Sequence, residues 1–215
     1  MKSGPRSMTV VLALLCCLAV SLSLPLFAQS EPSSSSPVND ASLSSTAVEF
    51  AKQHIGICEY GYNRGPIISD IIRRGGGRDG DSWCAYFVTD MFRMAAAKTG
   101  IRSPLKRTGA CWDLLKAATL PTSSLRILLP SSPGGLNMRA GDITIHARRA
   151  TNRDLVGKQF LGHTEIVESD RGSTYLAIGG NTSCGRGSQY DGDCVCRKTR
   201  YKRSTTLPLI AVLRA

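Results

Sequence analysis

The chain has 215 residues, and its 27 lysines and arginines outnumber 16 aspartates and glutamates, for a formal net charge of +11. Once the N-terminal segments described below are set aside, the rest is long enough for one domain and too short for two, and no internal repeat is present. The basic charge is densest over 197–203 (RKTRYKR). It suits polyanions such as cell-wall polymers, anionic lipids or nucleic acids, or serves only solubility.

The first 28 residues (1–28) have the features of an export signal. Lys2 and Arg6 precede an almost wholly apolar stretch over 9–19 (TVVLALLCCLA), and Ala28 suits the end of a cleavable signal. An uncleaved anchor is the alternative, because the apolar stretch approaches a membrane span in length. We therefore expect an exported protein that is periplasmic, wall-associated or secreted, with membrane contact only through an uncleaved signal.

A linker and then a single domain are predicted after the signal. Serine and proline are frequent over 29–46, which shows no apolar periodicity, so this stretch cannot bury enough surface to offset its ordering entropy. Folding is therefore expected over 47–215, as one domain and as a monomer.

The domain begins with predicted helices and continues with predicted strands. Apolar spacing and the glycines or prolines that follow predict helices over 47–55, 67–73, 83–98 and 110–118. Alternation and β-branched residues predict strands over 142–147, 163–168, 174–178 and 209–213, the last in the centre of the sheet and the third ended by residues 179–181 (GGN). Helices before strands favour an α+β domain with a mostly antiparallel sheet.

Six cysteines follow the signal: Cys58, Cys84, Cys111, Cys184, Cys194 and Cys196. Disulfides are expected in an oxidising compartment. If Cys84 stays a thiol, five cysteines remain, which allow two bridges and one left over in arrangements that the sequence does not choose among. The closeness of the last three favours one local bridge. A zinc site there is the weaker alternative, because the spacer is short and no histidine is near.

Cys84 is the best candidate for a nucleophile. It lies in the first turn of the helix predicted over 83–98, where aligned peptide dipoles leave a positive potential that favours the reactive thiolate. A buried inert thiol, or one half of a disulfide, is the structural alternative.

His163 is the best candidate for the base, ahead of His146 and His54. It follows a glycine and opens a strand, and a neutral imidazole there can accept the thiol proton and later protonate a leaving amine. A third group must fix its tautomer. Asn181, at the end of the next strand, is the first choice, and Glu165, on the same strand face as His163, is the rival.

Five segments carry a resemblance to a known family. They are 56–66 (GICEYGYNRGP), 81–88 (DSWCAYFV), 140–143 (AGDI), 162–167 (GHTEIV) and 179–182 (GGNT). In this order they resemble the motifs of the CHAP family, the cysteine- and histidine-dependent amidohydrolases and peptidases of papain-like, NlpC-type fold. The resemblance implies a nucleophile at a helix N-terminus, packed on an antiparallel sheet. It assigns the nucleophile to Cys84, the base to His163 and the orienting group to Asn181, without a metal or organic cofactor.

The resemblance also implies a substrate. Family members hydrolyse peptidoglycan, at the amide that joins muramic acid to L-alanine or at peptide bonds of the stem or cross-bridge. Peptidoglycan, and not nucleic acid, is then the expected partner. Two other functions remain open: a non-enzymatic wall-binding protein on the same fold, and an exported antibacterial toxin with the same chemistry.

Four residues are predicted to shape the cleft or contact substrate: Glu59, Asn63, Trp83 and Glu165. The loop residues among them are alternatively turn formers, and Trp83 alternatively only packs. Two positions depart from the family pattern, since Gly179 stands where many relatives have a carboxylate and Glu165 where they have a small residue. We therefore expect Asn181 to act alone or Glu165 to contribute.

Overall fold

The structure, a computed structural model, describes residues 38–132, 136–148, 161–185 and 192–215. The predicted signal over 1–28 lies outside these ranges. Within them, four helices precede six strands, as the sequence predicts for an α+β domain. The elements are α1 (Val38–Gln53), α2 (Pro66–Arg74), α3 (Cys84–Thr99), α4 (Cys111–Ala118), β1 (Arg126–Leu128), β2 (Ile143–Arg148), β3 (Leu161–Arg171), β4 (Thr174–Thr182), β5 (Cys194–Tyr201) and β6 (Leu209–Arg214).

The six strands form one open sheet in the order β1-β6-β2-β3-β4-β5. Every neighbouring pair is antiparallel, which confirms the predicted sheet type. The apolar strand β6 lies inside the sheet, between β1 and β2, although nearer one edge than the predicted centre. The sequence analysis missed β1, which has only three residues, and β5, whose basic run conceals its alternation.

Helix α1 begins at Val38, so the predicted linker over 29–46 is too long at its C-terminal end. Leu43 and Ser44 are buried, and a side chain at Gly141 would overlap Ser44. This close contact with the turn into β2 explains the extension, because packing stabilises serine-rich turns whose intrinsic helix propensity is modest.

Helix α3 forms the centre of the hydrophobic core. Its stripe of Phe87, Met91 and Ala95 is fully buried, as the spacing predicts. It packs on α1 and on β3 and β4 through Ile166 and Ile178. A second, smaller cluster contains the strand residues adjacent to these two, Val167 and Ala177, as alternation along a strand requires.

Strand β4 continues through residues 179–181, where the sequence predicts a break. The glycines there are needed for close packing and do not end the strand. A side chain at Gly180 would overlap Trp83 and Phe87, and one at Gly179 would lie 2.8 Å from Cγ of Glu165. Gly180 therefore lets Trp83 and helix α3 pack against the strand, and Gly179 leaves room for the carboxylate of Glu165 on the opposite face.

Two disulfides connect Cys58 to Cys194 and Cys184 to Cys196. The second is the predicted local bridge, and the pair matches the predicted count of two bridges with one cysteine left over beside Cys84. Disulfides are typical of an oxidising, exported location. Among the helices of the described residues, none is both long enough and apolar enough to cross a membrane.

Candidate active site

Cys84 is the first residue of α3 and its side chain is a free thiol with 4% of the residue exposed. No acidic residue lies in the first turn of the helix. Asp81, just before it, accepts hydrogen bonds from the Arg78 amide and the Tyr86 hydroxyl. The positive potential of the helix N-terminus therefore acts on the Cys84 sulfur, and no carboxylate in the first turn opposes it.

The predicted nucleophile and base meet in the folded chain. His163 on β3 is fully buried and lies close enough to Cys84 for its ring to lower the pKa of the thiol. Three groups hold the pKa of Cys84 well below its usual range, first the Cys111 thiol, then the His163 ring and last the Arg148 charge, although burial by itself would raise it. A depressed thiol pKa in a histidine-containing site is the condition for a reactive thiolate.

The contacts of the imidazole define its tautomer. Nδ1 of His163 lies 2.7 Å from Nη2 of Arg148, and because a guanidinium can only donate, this nitrogen accepts. The proton then resides on Nε2, which lies 3.2 Å from Oε1 of Glu165 and 3.2 Å from Oγ1 of Thr182. The Thr182 hydroxyl donates to the Gly180 carbonyl, so it is an acceptor for His163. Nδ1 is thus the unprotonated nitrogen of the ring, and in this structure it is occupied by the Arg148 donor.

Glu165 is the residue that orients His163. It is fully buried and also accepts two hydrogen bonds from Arg200, at 2.7 and 2.8 Å. Burial alone would raise the pKa of Glu165, but Arg200 and His163 outweigh it and hold this pKa well below its usual range. A buried carboxylate on Nε2 fixes the tautomer and stabilises the imidazolium that forms when the thiol is deprotonated. Gly179 leaves the space that the Glu165 side chain occupies.

Asn181 does not contact the imidazole with its side chain, contrary to the expectation that it orients His163. Its backbone has a φ of 51°, a conformation that asparagine tolerates, and its carbonyl accepts from Arg148 at 3.3 Å. The side-chain amide of Asn181 is oriented so that both of its polar atoms have partners. Its oxygen accepts from the backbone N–H of Trp83 at 3.2 Å, and its nitrogen donates to the Gly192 carbonyl. Asn181 therefore holds the start of α3, while the carboxylate on β3 takes the predicted orienting role.

Glu59, Asn63 and Trp83 form a support for the first turn of α3. One carboxylate oxygen of Glu59 accepts from the Trp83 indole N–H, and the other accepts from the Asn63 backbone N–H, each at 2.7 Å. Asn63 also donates to the Gly80 carbonyl, and the neighbouring Cys58 is bridged to β5. Trp83, Asn63 and Glu165 are buried, so their side chains hold the centre in place and do not present a substrate-contacting surface.

His146, second choice as base, serves a structural role. Its Nε2 accepts from the Tyr175 hydroxyl at 2.9 Å and its Nδ1 lies 3.2 Å from the Leu207 carbonyl. Burial lowers its pKa to about 4. The ring is therefore neutral at physiological pH, with both nitrogens already engaged.

Two cavities border the centre. One, of about 440 Å³, is lined by polar and basic residues that include His146, Arg148, Thr182, Ser183 and Arg200. The other, of about 350 Å³, lies between the loops that lead into α3 and α4. In the described ranges, no group of three or more histidine, cysteine, aspartate or glutamate side chains is arranged to hold a metal ion.

Sequence reasoning did not find Arg148, Thr182, Cys111 or Arg200 as parts of this centre. Arg148, Thr182 and Arg200 carry no motif of their own, and only the pairing of β2, β4 and β5 around β3 brings them to His163 and Glu165. Cys111 had a signal, since it lies in the first turn of a predicted helix, as Cys84 does, and it begins the observed helix α4.

Comparisons of the chain with protein-family models, with curated proteins and with solved structures find no match. A functional assignment therefore rests on the motifs and on the geometry of this centre.

The buried ion pair predicts that substitutions at two arginines of β5 change the free energy of unfolding by unequal amounts. Arg200 is 14% exposed and neutralises a fully buried carboxylate, so Arg200→Gln should lower the free energy of unfolding by about 3–5 kcal/mol. Arg197 is 45% exposed beside Glu168, and Arg197→Gln should change it by less than about 1 kcal/mol. Urea denaturation measures both. If Arg200→Gln does not fold, the double variant with Glu165→Gln should recover the fold; equal small losses at both arginines would contradict the buried pair.

The neutral His146 predicts an acid-sensitive stability. Because its pKa is lower in the folded chain than in the unfolded one, the unfolded state binds more protons between pH 4 and 6.5. Stability should therefore fall as the pH drops through this window, by about 3 kcal/mol for a shift from 6.5 to about 4. Urea midpoints measured at intervals across this pH range should fall less steeply with decreasing pH for His146→Gln than for wild type. An unchanged slope in the variant would show that other groups cause the acid sensitivity.

Proposed function

We propose that this protein is an exported cysteine hydrolase of the CHAP type, with a papain-like fold, that cleaves amide or peptide bonds of peptidoglycan. The observation that carries the proposal is the arrangement around His163: a free thiol at a helix start on one side and a buried carboxylate on Nε2. Four other cysteines of the chain are bridged, whereas Cys84 is a thiol with a depressed pKa.

The geometry supports a two-step acyl transfer. Nδ1 of His163 takes the thiol proton, and the Cys84 thiolate attacks the substrate carbonyl to form a tetrahedral intermediate. The backbone N–H of Cys84, at the start of α3, is available to stabilise the oxyanion. The imidazolium, stabilised by Glu165, then protonates the leaving amine, and water hydrolyses the thioester with His163 as base.

Arg148 must leave Nδ1 for this sequence to start. It donates to the nitrogen that has to accept the thiol proton, and a protonated Nδ1 cannot accept from a guanidinium. The residue also lines the larger cavity, so an anionic group of the substrate bound there would draw it away from the ring. Carboxylates of peptidoglycan stem peptides have the required charge.

The basic run over 197–203 contributes less to substrate attraction than its composition indicates. Three of its cations are paired with acidic side chains of β3: Arg197 with Glu168, Arg200 with Glu165 and Lys202 with Asp170. Support for a wall polymer as substrate therefore comes from the motif resemblance and from the overall positive charge.

A non-enzymatic wall-binding protein is the second candidate, and one observation favours it. Cys84 is nearly buried and His163 is fully buried, so the resting structure offers them little contact with a polymer. The hydrolase remains the better proposal, because burial of a matched thiol, imidazole and carboxylate set is costly and serves no purpose in a binding surface.

Digestion of purified peptidoglycan tests the proposal. Wild type should release fragments whose masses identify the bond, with free lactyl-linked glycan ends for an amidase and shortened stems or opened cross-links for an endopeptidase. Cys84→Ala and His163→Ala should each lower the rate by about a thousandfold or more while circular dichroism stays unchanged. Undiminished digestion by Cys84→Ala would rule out this nucleophile, and no digestion by folded, reduced wild type would favour the binding protein.

Substitutions at Glu165 and at Asn181 should lower kcat by different amounts. Glu165→Gln removes the charge that stabilises the imidazolium and should lower kcat by roughly a hundredfold with KM little changed. Asn181→Ala loosens the Trp83 amide and should leave partial activity with a lower urea midpoint. Measuring the midpoint of both variants separates chemistry from folding. The reverse order of kcat losses, with Asn181→Ala the more damaging, would return the orienting role to Asn181.

A further inference from the structure

A second thiol lies beside the proposed nucleophile. The sulfur of Cys111 is 3.7 Å from the sulfur of Cys84, and the two residues are 5% and 4% exposed. The other four cysteines of the described residues form the two disulfides. The part of the chain that the structure describes thus keeps two thiols almost in contact while its other four cysteines are oxidised.

Packing fixes the closeness of these two thiols. Cys84 begins α3 and Cys111 begins α4, so each sulfur is attached to a rigid helix start. The Tyr86 ring of α3 lies against Gly75, Gly77 and Gly109, where a side chain on any of the glycines would overlap it. This contact holds the loop that enters α4 against the first turn of α3.

The pKa values of the two thiols are shifted in opposite directions, which suits thiol–disulfide exchange. The two sulfurs lie within hydrogen-bonding distance, and this contact raises the pKa of Cys111 well above its usual range and lowers that of Cys84. One sulfur is therefore the attacking thiolate, and the other remains protonated until it resolves a mixed disulfide. A disulfide needs about 2.05 Å between sulfurs, so the required closure is less than about 2 Å.

We propose that Cys84 and Cys111 are a redox modification site, which forms a reversible disulfide that switches the hydrolase off. The oxidant is itself a disulfide, either a small one such as glutathione disulfide or that of a thiol oxidoreductase. The Cys84 thiolate attacks one oxidant sulfur, forming a mixed disulfide and releasing the first thiolate. Cys111 then loses its proton and attacks the Cys84 sulfur, releasing the second thiolate.

The step balances and is reversible. Two protein thiols lose two electrons and two protons, and the oxidant disulfide gains them as two thiols; a dithiol reductant reverses the exchange. We expect an oxidant to approach from the smaller cavity between the loops that lead to the two cysteines, which is lined by Asp81, Ser82, Tyr86, Thr108, Gly109 and Ala110. The loss of hydrolysis rests on the proposed function, whereas the formation of the bond does not.

Peptide mapping tests the bond directly. The full chain, carrying both structural disulfides, is incubated with glutathione disulfide, its remaining thiols are alkylated, and its peptides are analysed by mass spectrometry without reduction. Wild type should yield a linked peptide pair containing Cys84 and Cys111, lighter by two hydrogens than the free thiols. In Cys111→Ser, the matched control that keeps the size and a donor, oxidation should stop at glutathione bound to Cys84. A stable glutathione adduct on Cys84 in wild type, or two thiols that remain alkylatable, would overturn the proposal.

Activity on peptidoglycan supplies the second readout. Wild type isolated from an oxidising compartment should gain at least about tenfold in rate when a mild dithiol is added, and mapping should show the structural bridges intact. Cys111→Ser isolated in the same way should yield no linked peptide, and any gain in rate on reduction should be matched by the loss of a mixed disulfide from Cys84. A linked peptide without hydrolysis by the reduced protein would refute the proposed function alone. Hydrolysis by wild type that needs no reductant, with no linked peptide, would refute the redox site alone.

Discussion

The buried carboxylate of Glu165 is the constraint around which the centre is organised. A charge removed from water is tolerated only when cations and donors compensate it, and here Arg200 from β5 and His163 from β3 both do so. The intervening strand β4 must carry a residue without a side chain at that point, which is why Gly179 lies in the strand. One ionised group thus fixes the pairing of three strands and the orientation of the imidazole together.

The proposed nucleophile, Cys84, is held as firmly as His163, but by the backbone around it. The indole N–H of Trp83 donates a hydrogen bond to Glu59, and its backbone N–H donates one to the side chain of Asn181. Both contacts therefore hold the residue before Cys84. Gly180 lets the Trp83 ring approach β4 closely. The start of α3 is therefore positioned from a loop and from a strand, and the sulfur follows from the helix geometry. Precise placement of this kind is what a reactive pair on two distant segments requires.

The sequence predicted those features whose signal is local. Helix α3 follows from its apolar stripe, Cys84 from its place at the helix start, and the Cys184–Cys196 bridge from its short spacing. The sequence named both Asn181 and Glu165 as candidates for the orienting group but placed Asn181 first, because only the β3–β4 register shows that Gly179 makes room for Glu165. Arg148 and Arg200 were not found at all, since their roles arise from pairing between strands far apart in the chain. The start of α1 was placed too late because its stability comes from contacts with Gly141 and not from its own composition.

Arg148 links the protonation state of the centre to its shape. With His163 neutral, Nδ1 accepts from the guanidinium at 2.7 Å, and the cation also favours negative charge on Cys84. Once the thiol proton moves to Nδ1, that nitrogen becomes a donor facing another donor, and the contact turns repulsive. The thiolate–imidazolium state and the observed Arg148 position are therefore mutually exclusive. The observed centre therefore holds its thiol and imidazole in the neutral state, with Arg148 against the ring and a second thiol 3.7 Å from the first.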